Sequence, residues 1–262
     1  MEFFDTISLE EFLVTGVFAF ILTFVRLGTA LMIMPGIGDS FVPQNIRLYI
    51  AMAMAFVLMP VIQQYMPSPI PPFMTLFALI LMEFIIGIFI GTIARILIAA
   101  LDVAGMIISM TAGLANAQVF VPTSATQGSI VGALLSMTGV LFIFVTNLHH
   151  MMIYGLVESY NLFPIGGVPD AGSMAEMVSR TLSMSFLIGF QIAAPFVVMA
   201  LLIYIGMGVL SRLMPQIQVF ILALPIQILL SIITLFFVIS AIMLFWVSKF
   251  EEGMLFFLTS AG

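Results

Sequence analysis

The sequence predicts an all-α, polytopic membrane fold with long, partly broken helices and a C-terminal helical hairpin, built to pack in a hetero-oligomer. Three observations predict it. Apolar residues make up 63% of the chain and charged residues 7%, with a mean hydropathy of +1.31, whereas soluble domains carry about a quarter charged residues. Several uncharged stretches approach or exceed the ~20 residues that a helix needs to cross ~30 Å of hydrocarbon. No stretch has the alternating pattern of a membrane barrel strand, so the spanning elements are helices.

The chain begins MEFFDTISLEEF, an acidic start without the basic region and small-residue cleavage site of a secretory signal. The first apolar segment is therefore expected to remain in the mature chain. Ser8 and Glu11 form a capping-box pattern that starts a helix near Leu9. Apolar runs then predict helical segments over about 12–34, 48–62, 73–101, 103–115, 129–146, 182–210 and 219–247, six or seven helices in all. QQYMPSPIPP, residues 63–72, holds four prolines and should run extended. NLFPIGGVPDAG, residues 161–172, reads as a loop, after which Ser173 and Glu176 repeat the capping-box pattern.

This reading divides the chain into an N-terminal helical region, 1–180, with a broken stretch near 112–129, and a C-terminal hairpin, 181–262. The hairpin segments 182–210 and 219–247 have 29 residues each, roughly 43 Å of helix against a core of ~30 Å. Tilt or protrusion would accommodate the excess, and so would packing along a neighbouring subunit. The only basic residues are Arg26, Arg47, Arg95, Arg180, Arg212 and Lys249, too few to orient the chain by its loops. Loops so poor in charge suggest that other protein, as well as membrane lipid, surrounds the chain.

Composition also excludes partners and chemistry. A net charge of -6 and the lack of a basic cluster argue against nucleic acid or an anionic lipid surface. With no cysteine, disulfides and thiolate metal sites are excluded. His149 and His150 are the only histidines, and adjacent helix positions point about 100° apart, so no metal is expected there. No GxSxG elbow, phosphate loop or paired acidic motif is present, and no catalytic residue, cofactor or enzymatic activity is expected.

Four features carry candidate roles. Glu83, Gly87, Gly91 and Arg95 recur at four-residue spacing on one slowly drifting helix stripe. They suit a close-packing seam whose ionisable ends pair with neighbours; a proton or ion relay is the alternative. Arg26 lies deep in the first segment, where it needs a carboxylate or helix-end carbonyls, unless it binds substrate. AGLANAQVFVPTSATQGS, residues 112–129, is uncharged, rich in small and amide side chains, and broken by Pro122. It reads either as a re-entrant loop or plug lining a pathway or as an external loop, with Asn116, Gln118, Val119, Phe120, Val121, Pro122 and Thr123 as plug candidates. The 22 methionines supply adaptable side chains, some of which could form a deformable seal around a passing chain.

The fourth feature is GVLSRLMPQIQVFILALP, residues 208–225. Pro215 should end the preceding helix, and Arg212 can reach carbonyls of its last turn. Gln216 and Gln218 offer uncharged donors and acceptors suited to a hairpin tip buried against other subunits.

These motifs together resemble the FliR family of flagellar export-gate proteins, whose virulence-system relatives are the SpaR/YscT proteins. The resemblance covers essentially the whole chain. It is carried by Arg26 with PGIGDSFVPQNIR after it, by Glu83 with Gly87 and Gly91, and by the polar loop before Ser129. NLHHMMIYGLVESYNLFP, Ala194 with Pro195, and above all SRLMPQIQVF add to it. Leu224 stands where a glycine would be expected and Gln218 where an asparagine would, which affects local turn geometry.

The resemblance implies a non-enzymatic subunit of the flagellar type III export gate, in the bacterial inner membrane within the flagellar basal body. It implies FliP-type, FliQ-type and FlhB-type partner subunits and unfolded rod, hook and filament proteins in transit. It further implies that the hairpin resembles a whole FliQ subunit and that the 116–126 loop closes the channel. Arg26, Glu83, Gly87, Gly91, Arg95, Arg212, Pro215 and Gln216 are then candidates for helix packing and assembly. A stand-alone secondary transporter with a midplane site at Glu83 and Arg95 is the alternative.

Overall fold

Apolar runs bounded by proline, glycine and polar residues fold as helices along this chain. The computed structural model describes residues 9–66, 72–114, 129–214 and 219–259. Among them are seven α-helices: α1 (Leu9–Ile33), α2 (Gln44–Ile62), α3 (Phe73–Thr111), α4 (Ile130–Val145), α5 (Leu148–Leu162), α6 (Ala171–Leu213) and α7 (Val219–Thr259). No strand occurs among the described residues, and the fold is all-α. Five of these helices are long and apolar enough to cross a membrane, or up to six spans if the bent pair α4 and α5 counts as one.

Four local features differ from the sequence expectation. The runs 73–101 and 103–115 form one helix of 39 residues, because Asp102 stays on an exposed position where its carboxylate accepts a 2.5 Å hydrogen bond from Ser136 Oγ. α5 is an additional helix. It starts after Asn147, whose φ of 61° is left-handed, a conformation that asparagine tolerates, and the axis turns by 75° there. The hairpin helices are longer than their apolar runs, at 43 and 41 residues. The start of α6 is capped by Asp170 rather than Ser173: Asp170 Oδ2 accepts from Ser173 N at 3.0 Å and from Ser173 Oγ at 2.6 Å.

Among the described residues, helices hold an internal proline at Pro60, Pro195 and Pro225. The proline-rich connection starts with a 3₁₀ turn, Gln63–Tyr65. α6 ends at Leu213, one residue before the restricted position preceding Pro215.

The chain forms two compact units. The first comprises Met1–Arg95, Asn147–Ser179 and Met254–Gly262. Its core joins Leu27, Ile62 and Tyr160, with Phe18, Leu22 and Leu79 in a neighbouring cluster. The second comprises Ile96–Thr146 and Arg180–Gly253. Residues 96–111 of α3 are its axis. Trp246 Nε1 donates to Leu97 O at 3.0 Å, and Ser185 Oγ donates to Ile96 O at 2.7 Å. Gly139, Gly189 and Gly253 lie so close to Leu101, Val103 and Leu97 that added Cβ atoms would clash with them.

Candidate functional site

Two polar constellations stand out in an otherwise apolar chain, one in each unit. In the first unit the Glu83–Gly87–Gly91–Arg95 stripe of α3 lies along α1. Arg26 is completely buried and Glu83 is 1% exposed. Arg26 Nε donates to Glu83 Oε2 at 2.5 Å and Nη2 donates to Oε1 at 2.9 Å, a two-point fork. Nη2 also donates to Phe163 O at 2.9 Å, Nη1 donates to Ser159 Oγ at 3.2 Å, and the guanidinium stacks 3.7 Å over the Tyr160 ring. A buried charge needs this degree of satisfaction, since an unpaired one would be driven out or neutralised.

One turn on, a Cβ at Gly87 would overlap the Thr29 hydroxyl and come within 2.5 Å of Arg26 O. At Gly91 it would come within 2.8 Å of Ala30 O. Only glycine permits this approach at both levels. At the end of the stripe Arg95 pairs with Asp39 in the loop after α1. Because successive stripe positions meet later residues of α1, the two helices run in the same direction.

That loop, within PGIGDSFVPQNIR, is folded around two charges. Asp39 Oδ2 accepts from Gly36 N at 2.7 Å. Arg47 donates to Val42 O at 2.8 Å, Gly38 O at 3.1 Å and Asp39 O at 2.7 Å. Gly36 has a φ of 91°, and a Cβ at Gly38 would come within 2.5 Å of Met32 O. Between α1, α2 and α3 lies an apolar hollow of about 400 Å³ beside Gly28, Ala51 and Phe84, with no ionisable side chain in its lining. Glu83 and Arg95 thus engage different partners at the two ends of the stripe.

In the second unit the flanks of the stretch 112–129 are tied down. α3 ends through Gly113, whose φ of 77° is the left-handed conformation that glycine supplies at helix ends. The Thr111 carbonyl accepts from Gln227 Nε2 of α7, and Gln227 is 2% exposed. On the other flank Ser129 caps α4, accepting from Gly132 N at 2.9 Å and donating to Gly105 O at 2.7 Å. Ser109 Oγ lies 2.5 Å from Ser129 Oγ, and Gly105 meets Gly132 backbone to backbone.

Asn116, Gln118, Val119, Phe120, Val121, Pro122 and Thr123 lie outside the described residues, as do Pro215, Gln216 and Gln218. Arg212 is exposed in the last turn of α6, where positive charge is favoured. The His149 and His150 rings lie 4.1 Å apart, closer than their helix positions suggested. Among the described residues, no group of three or more His, Asp or Glu side chains is placed to hold a metal.

Asp39, Arg47, Tyr160 and Gln227 were not singled out by sequence reasoning, while Ser129 and Ser159 carried the resemblance without a partner assigned to either. The available signal was polarity inside apolar helices, which marks Ser159 and Gln227. The partners, at separations of 133 and 116 residues, are visible only in three dimensions.

Comparison with known proteins extends this geometry. Residues 17–253 match the family of bacterial export proteins, family 1. The chain is 35% identical over 232 residues to the flagellar biosynthetic protein FliR of Caulobacter vibrioides, covering 88% of this chain and 92% of that one. It is 29% identical to the Aquifex aeolicus protein of the same name, covering 95% and 94%. It is 32% identical over 155 residues to the Yop proteins translocation protein T of Yersinia pestis, covering 58% and 59%.

Proposed function

We propose, from the premise that this chain belongs to family 1 of the bacterial export proteins, the FliR family, that it is a subunit of the flagellar type III protein export gate. It is a helical membrane protein of flagellar biosynthesis and type III export. In the proposed role it contributes wall and closure to a channel for unfolded rod, hook and filament proteins and catalyses no reaction. Its partners in this reading are FliP-type, FliQ-type and FlhB-type subunits, with membrane lipid around the assembly. Its place is the bacterial inner membrane, within the flagellar basal body.

The observation that supports this reading best is the hairpin. α6 and α7 have 43 and 41 residues, and their uncharged stretches, 181–211 and 219–248, come to roughly 45 Å each where ~30 Å would cross the hydrocarbon. Both keep large apolar side chains outward, including Leu202, Phe236 and Phe237 at 65, 76 and 75% exposure. Helix that extends past the hydrocarbon while still apolar needs other protein to cover it. The seam of α1 and α3 serves the same role as scaffold, with Arg26, Glu83, Gly87, Gly91 and Arg95 fixing helix positions. The stretch 116–123 closes the channel between flanks tied by Gln227 and Ser129, and Arg212 with Pro215 and Gln216 forms the hairpin tip against a neighbouring subunit.

Co-expression with candidate partner subunits, followed by mass measurement of the purified particle, tests this. One hetero-oligomer containing this chain with FliP-type and FliQ-type subunits is expected. A lone homo-oligomer that transports a solute would contradict it.

A further inference from the structure

α6 has two unlike faces. One is buried and carries Ser185, Ile188, Gly189, Ile192, Ala193 and Phe196. The other carries Leu187, Gln191, Ala194, Pro195, Val198 and Leu202 at helical spacing, all of them exposed. Leu187, Val198 and Leu202 are 58, 57 and 65% exposed. This second face lies in the middle of residues 181–211, the uncharged stretch between Arg180 and Arg212.

Two unmet hydrogen-bonding groups coincide there. Pro195 has no N–H, so the carbonyl of Gln191, four residues earlier, lacks its helical donor. The Gln191 side chain adds a primary amide on the same exposed face. The glutamine of α7 differs: Gln227 is buried and its amide is occupied by the Thr111 carbonyl and the Tyr204 hydroxyl. Hydrocarbon cannot satisfy an amide and a freed carbonyl, and prolines persist in membrane helices where neighbouring helices or polar side chains meet the freed group. Ala194 beside Pro195 leaves room for a second helix to approach closely.

We infer that the Gln191–Pro195 face of α6 is the docking surface for a transmembrane helix of another subunit that presents an uncharged hydrogen-bond donor, Ser, Thr, Asn or Gln, at this level. A charged donor is disfavoured because neither group on the face is an anion. The inference rests on the reading that the chain works inside a hetero-oligomer, and it specifies the partner chemistry at one position.

The chain has no cysteine, so Ala194→Cys provides a single attachment point for a nitroxide spin label in membranes holding the assembled complex. The expected result is low accessibility both to oxygen, which partitions into lipid, and to a water-soluble nickel chelate. High oxygen access would mean that the face meets lipid, and high chelate access would mean that it lines water; either overturns the inference. The same measurement at Leu187→Cys, two turns away on the same face, controls for a label that itself separates the helices. Gln191→Leu should recover about tenfold less partner subunit on co-purification, the scale of one interhelical hydrogen bond, while Gln191→Asn should recover near the wild-type amount. Unchanged recovery with Gln191→Leu would overturn the donor chemistry. A wild-type chain that recovers no other subunit would overturn the gate reading as well, a different failure from a complex that forms with this face bare.

Discussion

Arg26 and Glu83 meet through two hydrogen bonds of 2.5 and 2.9 Å although 57 residues separate them in the chain. Neither side chain is more than 1% exposed. Their pairing sets where α3 sits along α1, because every later level of the stripe follows from it.

Removing one partner leaves the other charge buried and uncompensated, a loss of about 3–5 kcal/mol. Glu83→Ala and Arg26→Ala should each lower the amount of folded protein in the membrane and its melting temperature in detergent. The double replacement Arg26→Met with Glu83→Leu should recover much of the loss, since an apolar pair of similar volume can substitute for a buried ion pair. If the double variant loses as much as the two singles added together, the two side chains are not energetically coupled, and the pairing is contradicted.

Glycines on the seam and glycines off it should respond differently. Gly87→Leu forces a side chain into Thr29 and the Arg26 carbonyl, and should weaken both folding and assembly, the overpacking alone by about 1–3 kcal/mol. Gly206→Ala meets nothing within 4 Å and should be neutral or slightly stabilising, since alanine is the better helix former. Complex recovery after extraction compares the two. Normal assembly and export by Gly87→Leu would contradict a close seam.

How much of this was legible in the sequence depended on the range of the interaction. The bounds of α1 and α4 follow from apolar runs and their punctuation, and the four-residue stripe on α3 follows from periodicity. α5 was hidden because His149, His150 and Glu158 dilute its apolar pattern, and the length of α6 was hidden because its first turns are polar and its cap is Asp170. Neither Asp39 nor Arg47 was marked as a folding element, because a loop held by side chain to carbonyl bonds leaves no periodic trace. The partner of Arg26 could be expected to be a carboxylate, but not which one.

Asp170 makes an acid-side prediction. The Ser173 hydroxyl, and then the N–H groups of Ser173 and Gly172, hold its carboxyl below the usual range of 3.8. A depressed folded value means that the cap stabilises the first turn of α6 above the unfolded pKa and is lost as pH falls through the folded one. Amide exchange at Gly172 and Ser173, normalised to Asp170→Asn, should accelerate below about pH 4, since the uncharged asparagine does not titrate. A ratio that stays flat with pH would show that ionised Asp170 is not the cap in the membrane.

Deleting residues 119–124 should make the cell envelope leak ions or small molecules while the complex still assembles. The flanking ties at Gln227 and Ser129 lie outside the deletion, so the ends of the stretch keep their anchors. Unchanged permeability together with failed assembly would identify the stretch as a structural loop.

The central claim is that this chain forms part of the route by which flagellar proteins leave the cell. The most direct measurement is the distribution of hook and filament proteins between cells and medium in a strain lacking this gene, with the gene restored on a plasmid as control. Non-motile cells that retain those proteins inside are expected, with export restored by the plasmid copy. Normal secretion of hook and filament proteins without the gene would contradict it.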